Sequence, residues 1–192
     1  MAEEREFIDE LEHPGVDRYR ELVDGFDANE VEDFVDSLLA LIEEDPFYFD
    51  PYLALVQLNE EAELYDESAR LLEEAYAKAV ELITEDGKWP DKLRWGFVEN
   101  RHIIRTITSK AVLFWKKNQI ENALDLFGHL VRMNPNDNGG NRYFILAIKM
   151  GMDFQGFMDR FDRDGYYDNE IDKWFNDHYT NFPDELGWWD EE

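Results

Sequence analysis

The run AVLFWKKNQIENALDLFGHLVRMNP, residues 111–135, constrains the fold more than any other part of the chain. Two apolar segments of helical spacing flank the polar turn KKNQ, with small residues at Ala111 and Ala123 and bulky ones at Phe114 and Phe127. Small residues let two helices approach closely, and Pro135 ends the second helix because a proline cannot continue it. The run therefore predicts a helical hairpin of the kind that packs against further hairpins.

Helical spacing of apolar residues extends over almost the whole chain. Wide apolar stripes cover 31–42 and 71–83, and no segment alternates apolar and polar residues between turn signals, so no β-sheet is expected. Breakers and capping residues predict a short helix before Pro14 and then helices near 16–25, 30–44, 51–64, 66–84, 97–117, 119–133, 139–151, 153–161 and 167–179. Asp153 is the predicted cap of the helix that ends near Phe161. We predict an all-α fold of about nine or ten short antiparallel helices.

The charge of the chain is strongly negative and unevenly distributed. The net charge is −27 over 192 residues; residues 1–86 carry 28 acids and 5 bases, 87–132 carry 4 and 9, and 133–192 carry 14 and 5. Such a field repels nucleic-acid backbones and anionic membranes, and it attracts basic proteins and cations. It also keeps a chain with 15% aromatic residues in solution. We expect a protein or peptide partner, and neither nucleic acid nor a membrane.

The residue types that support most catalysis and metal binding do not form recognisable motifs. The chain has no cysteine, no glycine-rich phosphate loop, no nucleophile elbow and no His-Glu-x-x-His, and its four histidines are far apart in sequence. Two short segments, 134–139 and 162–165, resemble calcium-binding loops but lack the closing carboxylate, so we interpret both as turns. The sequence thus predicts no enzyme, no metal and no cofactor. The acidic start and the lack of long apolar runs predict a cytoplasmic protein.

Several segments resemble tetratricopeptide repeats, a family of 34-residue helical hairpins. The clearest unit is 104–137, and a second, 50–83, contains ESARLLEE, which is similar to the second helix of the family. A third unit, 138–161, follows the junction NPNDNGGNRY, and a degenerate hairpin covers 16–46. The distance from Ala69 to Ala123 is one repeat plus about 20 residues, which indicates an insertion near 84–103.

The resemblance implies a short right-handed solenoid of antiparallel helical hairpins. It divides the chain into acidic N-terminal helices at 1–46, repeats with the insertion at 47–161, and a capping helix with an acidic aromatic tail at 162–192. A terminal repeat needs its apolar face covered, so the Trp188–Trp189 pair is expected to dock as a cap. The alternative is that a partner recognises this tail as a short acidic, aromatic segment.

The family resemblance also implies a concave groove lined by the first helix of each hairpin. On that face we expect the residues that contact a partner, namely Arg101, Arg105, Thr108, Val112, Trp115, Asn138, Asn141 and Arg142. The basic residues among them belong to a positive stretch that would suit an acidic peptide. The same stretch has another interpretation: it pairs with the acidic N-terminal helices, or with a second copy of the chain in a homodimer.

The sequence therefore supports one leading hypothesis and one alternative. The leading hypothesis is a non-enzymatic interaction module that binds a protein or peptide in a tetratricopeptide-like groove. The alternative is an acidic decoy or holdase that binds basic proteins by mimicking a nucleic-acid backbone, motivated by the net charge of −23 on residues 1–86.

Overall fold

A computed structural model describes residues 4–27, 29–163 and 165–191, and it is helical, as predicted. The α-helices in these ranges are α1 (Val16–Asp24), α2 (Val31–Glu44), α3 (Asp50–Glu61), α4 (Tyr65–Ile83), α5 (Arg101–Lys116), α6 (Ile120–Met133), α7 (Asn141–Lys149), α8 (Phe154–Phe161), α9 (Glu170–His178) and α10 (Pro183–Leu186). Short 3₁₀ turns cover Val98–Asn100, Tyr179–Asn181 and Gly187–Glu191. Among the described helices none is long and apolar enough to cross a bilayer.

The chain forms two compact units, Met1–Ile107 and Thr108–Glu192, and the division falls within α5. In the first unit consecutive helices pack together, α1 on α2, α2 on α3 and α3 on α4. Their fully buried side chains are large and apolar, including Leu38, Phe49, Tyr52 and Ile83. The short loops and paired helices agree with the hairpins predicted from the sequence, and their solenoid arrangement remains a prediction.

The segment from residue 4 to His13 is an extended arm, and the short helix predicted there is wrong. The arm pairs with the loop after α4: Phe7 N–H donates to the Lys92 carbonyl at 2.9 Å, and the amides of Asp91 and Lys92 donate to the Arg5 carbonyl. Ion pairs of Glu4 with Lys92 and of Glu6 with Arg94 add to these bonds. A helix this short is unstable alone, so the backbone bonds to the loop prevail.

The insertion predicted near 84–103 therefore holds the N-terminal arm. Asn100 is its fully buried anchor: its Nδ2 donates to the Phe7 carbonyl and its Oδ1 accepts from the Asp9 amide, both at 2.9 Å. The Asn100 amide thus makes, to two backbone groups of the arm, the hydrogen bonds that a neighbouring strand would otherwise make.

The second unit packs α6 on α7 and α7 on α9 around an aromatic core. Phe144, Phe157 and Phe161 are buried, with ring centroids 5.2–5.3 Å apart along the series. The predicted cap of α8 is confirmed, since Asp153 Oδ1 accepts from the Gly156 amide at 2.7 Å. The expectation of no β-structure is wrong in one place: Asp162–Arg163 (β1) pairs with Tyr166–Tyr167 (β2), and Gly165 before β2 has a φ of 88° that favours glycine.

The C-terminal tail packs on the second unit. The Trp189 ring lies 4.4 Å from the Arg142 guanidinium and 5.7 Å from the Phe175 ring, and Trp188 Nε1 donates to the Glu185 carbonyl at 2.8 Å. Two residues of the predicted features lie outside the described residues: Asp164 of the calcium-loop-like segment 162–165, and Glu192, the last residue of the predicted tail.

Candidate binding site

Two adjoining cavities open on the first unit, and α1, α3 and α5 contribute to the lining of both. The polar cavity has a volume of about 430 Å³ and the apolar cavity about 390 Å³. They share Tyr19 of α1, Asp50 at the start of α3 and Arg105 of α5. Tyr19 and Val23 stand four residues apart on α1 and therefore project from one face of that helix. We call the two cavities together the groove.

An ion pair stands where the cavities meet. Arg105 Nη2 lies 2.7 and 2.6 Å from the two carboxylate oxygens of Asp50, and Arg105 Nε donates to Oδ1 at 3.1 Å. The Tyr48 hydroxyl donates to Asp50 Oδ2 at 3.3 Å. Asp50 and Arg105 thus largely neutralise each other's charge. Their contact joins the start of α3 to α5 where the two cavities meet.

Among the described residues Arg101 has no acidic partner, unlike Arg20 and Arg105, the other arginines of the polar cavity. Its Nε donates to the Trp95 carbonyl at 3.1 Å, and its guanidinium lies 5.3 Å from the centre of the Trp95 ring. Within the described ranges no carboxylate lies at ion-pair distance from Arg101. The stacking and the Nε bond hold the guanidinium in place, so its terminal N–H groups remain as donors.

Tyr19 contributes a second donor to the polar cavity. Its hydroxyl has no hydrogen-bond partner among the residues that the structure describes. Burial, together with the nearby Asp50 carboxylate, raises the pKa of Tyr19 to about 12. The phenol therefore keeps its proton at neutral pH and can donate a hydrogen bond to a ligand.

The inner wall of the polar cavity contains a buried histidine–aspartate cluster. Asp9 Oδ2 lies 3.0 Å from Nε2 of His13 and 3.0 Å from Nε2 of His102, and His13 Nδ1 lies 2.7 Å from Asp45 Oδ2. Burial opposes the charged form of His13, but its bonds to Asp9 and Asp45 outweigh that effect and raise the pKa of His13. Burial likewise acts against the Asp9 carboxylate, yet the bonds from both histidines lower its pKa.

Asp9, His13 and His102 place three ligand atoms close enough for a metal ion, but the hydrogen bonding of His102 does not suit one. The Phe49 amide donates to His102 Nδ1 at 3.2 Å, so the neutral ring carries its proton on Nε2 and donates to Asp9. A metal on Nε2 would place that proton on Nδ1, against the Phe49 N–H. The cluster therefore suits a structural role, in which hydrogen bonds hold the arm to α5, better than a metal site. Neither imidazole offers a free lone pair to the cavity.

The apolar cavity is formed by α1, α3 and the start of α2. Val23 and Phe26 line it and remain 43% and 44% exposed, and the Phe26 ring lies 4.6 Å from the Phe34 ring. Leu53 and Leu58 of α3 complete the apolar lining. Val23 lies on α1 and Phe26 follows the end of that helix. Apolar side chains exposed within a concave surface make the cavity a candidate binding site.

The residues predicted to contact a partner fall into both units. In the first unit Arg101 and Arg105 line the polar cavity together. In the second, Thr108 Oγ1 donates to Asn141 Oδ1 at 3.3 Å, Trp115 is buried with its Nε1 donating to the Met152 carbonyl, and Val112 is half-buried. Asn138 is exposed.

Asn141 and Arg142 are held by Asp137, whose carboxylate is buried beneath the turn before α7. Asp137 accepts hydrogen bonds from the amides of both residues at 2.8 Å and from Arg142 Nη1 at 3.1 Å. Gly140 allows the turn through a φ of 71°, which favours glycine. The NPNDNGGNRY junction thus builds the start of α7.

Three cations of the basic stretch pair within the first unit: Lys92 and Arg94 with Glu4 and Glu6 of the arm, and Arg105 with Asp50 at the start of α3. These partners do not belong to the N-terminal helices α1 and α2, with which the sequence predicted the pairing.

Sequence reasoning missed His13, Tyr19 and His102 as wall residues, and it missed the buried Asp9 that lies against both histidines. His13 and His102 are 89 positions apart, and no local motif predicts that the arm brings them together.

No family model, no curated protein and no solved structure matches this chain. The tetratricopeptide assignment therefore stays a prediction from the residues that support it.

Proposed function

We propose that the first unit is an interaction module that holds a protein or peptide partner in the groove. The observation that carries this proposal is the pair of adjoining cavities, which share Tyr19, Asp50 and Arg105. The alternate helices α1, α3 and α5 all contribute to their lining. In the family that the sequence resembles, the first helices of successive hairpins line the binding face, which supports the same assignment.

The apolar cavity is the seat for one large apolar side chain of the partner. Val23 and Phe26 already stand at its edge with more than two-fifths of their surface exposed. Burying a side chain the size of leucine or phenylalanine contributes about 1.5–3 kcal/mol. A few such contacts in a concave, water-excluding position dominate the affinity of many protein interfaces.

The charge of the unit favours a basic partner. Residues 1–107 carry 30 acidic and 10 basic side chains, a net charge of −20. Glu61, at the edge of the apolar cavity, accepts a hydrogen bond from Gln57 and has no cation partner among the described residues. Complementary charge accelerates encounter and selects partners. The expected ligand is a segment with a large apolar residue flanked by lysine or arginine.

The second candidate function is an acidic holdase for basic proteins, which the same net charge of −20 favours. The two functions differ in what the groove contributes. A holdase attracts its client over the whole acidic surface, so binding falls steeply with salt and ignores the apolar cavity. A groove binder loses its ligand when the apolar seat changes.

A peptide selected from a random library on the wild-type protein provides the test. We expect the selected sequences to combine a large apolar residue with basic neighbours. The double variant Val23→Ser/Phe26→Ser should bind such a peptide at least about tenfold more weakly, as expected from a lost apolar contact. The matched control Leu64→Ser/Tyr65→Ser removes two side chains that are 54% and 63% exposed and lie outside the groove.

Equal affinity of the groove variant and the wild type would contradict the groove. If that affinity also disappears between low salt and about 0.15 M salt, where charges are screened beyond roughly 8 Å, the holdase is supported instead. Unfolding curves of each variant check that the loss of binding does not reflect loss of fold.

A further inference from the structure

The polar cavity has donors that neither the fold nor the apolar seat uses. The Arg101 guanidinium is held by Trp95, and its terminal groups have no acidic partner in the described part of the chain. The Tyr19 hydroxyl also lacks a partner there. The remaining lining includes the apolar side chains of Leu11, Val16 and Val98. When donors are already held in place, less side-chain entropy is lost on binding, and the ligand binds more tightly.

We propose that the polar cavity is a receptor for a carboxylate carried on an apolar body about the size of an aromatic side chain. The carboxylate lies against the terminal N–H groups of Arg101 and the Tyr19 hydroxyl, and the apolar body lies against Leu11, Val16 and Val98. This inference goes beyond the proposed function, because the partner's apolar anchor occupies the other cavity.

Shape and volume suit such a ligand. A planar guanidinium presents parallel N–H groups whose spacing matches the two oxygens of a carboxylate. A cavity of about 430 Å³ accommodates a ring with a short chain and is within the usual range of small-molecule sites.

Charge selects a monoanion over a dianion such as a phosphate monoester. The cavity is lined by three arginines and two carboxylates: Arg20, Arg101 and Arg105 against Asp50 and Glu99. Arg105 pairs with Asp50 and Arg20 with Asp17, so among the described residues the Arg101 guanidinium is the one left to balance a single negative charge on a ligand. The two ring nitrogens of His13 lie 3.0 and 2.7 Å from carboxylate oxygens of Asp9 and Asp45, so a positive charge on His13 is more than balanced within the cluster and adds nothing to the cavity. The net −20 of the unit opposes a second negative charge on the ligand.

The carboxylate can belong to a free organic acid or to the end of a peptide, and calorimetric titration with two probe pairs separates these sources. Phenylpropionate against phenylpropionamide tests the free acid, and N-acetylphenylalanine against its amide tests the peptide end. We expect at least one acid to bind and its uncharged amide to bind at least about tenfold more weakly, as for a lost charge-assisted bond. Preference for N-acetylphenylalanine over phenylpropionate assigns the peptide source, and the reverse assigns the free acid.

Variants locate the binding. Arg101→Gln should weaken the acid about tenfold or more and Tyr19→Phe a few-fold, each in line with one lost hydrogen bond. Arg70→Gln is the matched control: it removes the same charge from an exposed arginine paired with Glu67 and Glu74 on α4, outside the cavity. Benzyl phosphate, a phosphate monoester with a second pKa of about 6 and therefore mostly a dianion at a pH of about 7.5, should bind less tightly than the acids.

Three results would overturn the proposal: no saturable binding of either acid up to about 10 mM, equal affinity for acid and amide, or unchanged affinity in both Arg101→Gln and Tyr19→Phe. Because the proposed function is measured at Val23 and Phe26 in the apolar cavity, its outcome and this one are independent.

Discussion

Asp50 and Arg105, which are 55 positions apart in sequence, form a two-oxygen ion pair that joins the start of α3 to α5. The side chains are 16% and 42% exposed, so the pair is partly screened by water. It borders both cavities of the groove and links them. A basic residue that the sequence presented as a partner contact is therefore also part of the framework that shapes the site.

A double-mutant cycle of Asp50→Asn and Arg105→Gln should show this coupling. Each single change should lower the free energy of unfolding by about 1 kcal/mol, because the pair is only half-buried. The interaction energy should be at least roughly 0.5 kcal/mol, as for contacting charged residues. Urea unfolding measures all four corners. Additive effects of the two substitutions would mean that the pair contributes no more than two independent side chains.

The histidine–aspartate cluster should make stability depend on pH with a defined sign. The pKa of His13 is raised in the folded chain above its ordinary value of 6.5, so its contribution is complete below that value and is lost as pH rises through the folded pKa. The pKa of Asp9 is lowered from 3.8, so its contribution is present above 3.8 and is lost as pH falls. The cluster stabilises most between these two ordinary values.

His13→Gln should therefore cost roughly 2 kcal/mol of unfolding free energy in mildly acidic solution, since it leaves buried carboxylates without a cation. The cost should shrink as the solution becomes alkaline. Urea unfolding at a series of pH values measures it, and NMR titration of the His13 ring should give a midpoint above 6.5. His129→Gln, at a half-exposed position of α6, is the control. A cost for His13→Gln that is the same at every pH would contradict a protonated His13 bonded to Asp9 and Asp45.

The arm should detach when its anchor is shortened. Asn100→Ala removes both bonds to the arm and leaves the Phe7 carbonyl and the Asp9 amide without partners. Buried groups left unpaired cost about 1–3 kcal/mol. Hydrogen exchange should then accelerate at Phe7 and Asp9, while amides in the middle of α4 keep their protection. Unchanged exchange of the arm would show that the loop bonds of Arg5 and Lys92 hold it alone.

The junction before α7 should depend on one carboxylate. Asp137→Ala leaves the amides of Asn141 and Arg142 without their acceptor, while the Arg142 guanidinium keeps Asp172 at 3.7 Å and the backbone carbonyl of residue 137. We expect a loss of about 2–4 kcal/mol, the combined cost of a lost cap and of amides left unpaired. Thermal or urea unfolding checks it. Asn138→Ala, an exposed neighbour in the same turn, should change stability by less than about 0.5 kcal/mol.

The helices could be predicted from the sequence because their signals are local. The apolar stripe over 31–42 and the breakers on either side predicted α2 to within one residue at its start, and Asp153 was identified as the cap of α8. Apolar period, proline and polar caps all act within a few residues of where they appear. The opening arm was predicted wrongly because its partners are a loop more than 75 residues away.

The site could be predicted only in part. Arg101 and Arg105 stood out as basic residues on one face of a predicted helix, and both line the polar cavity. The sequence did not predict that His13, Tyr19, Val23 and Phe26 line the cavities. Their place in the lining depends on how the arm and α1 lie against α3 and α5. Periodicity shows which face of a helix is apolar, and it does not show whether another element covers that face.

The footprint of a library-selected peptide on the protein is the most direct test of the groove. NMR of labelled methyl groups should show shifts at Val23, Leu53 and Leu58, which line the apolar cavity, on addition of the peptide. Leu126 and Val131, buried in α6 of the second unit, should remain unshifted. Shifts confined to α6 and α7, or spread evenly over the acidic surface with none at the three groove residues, would contradict the account.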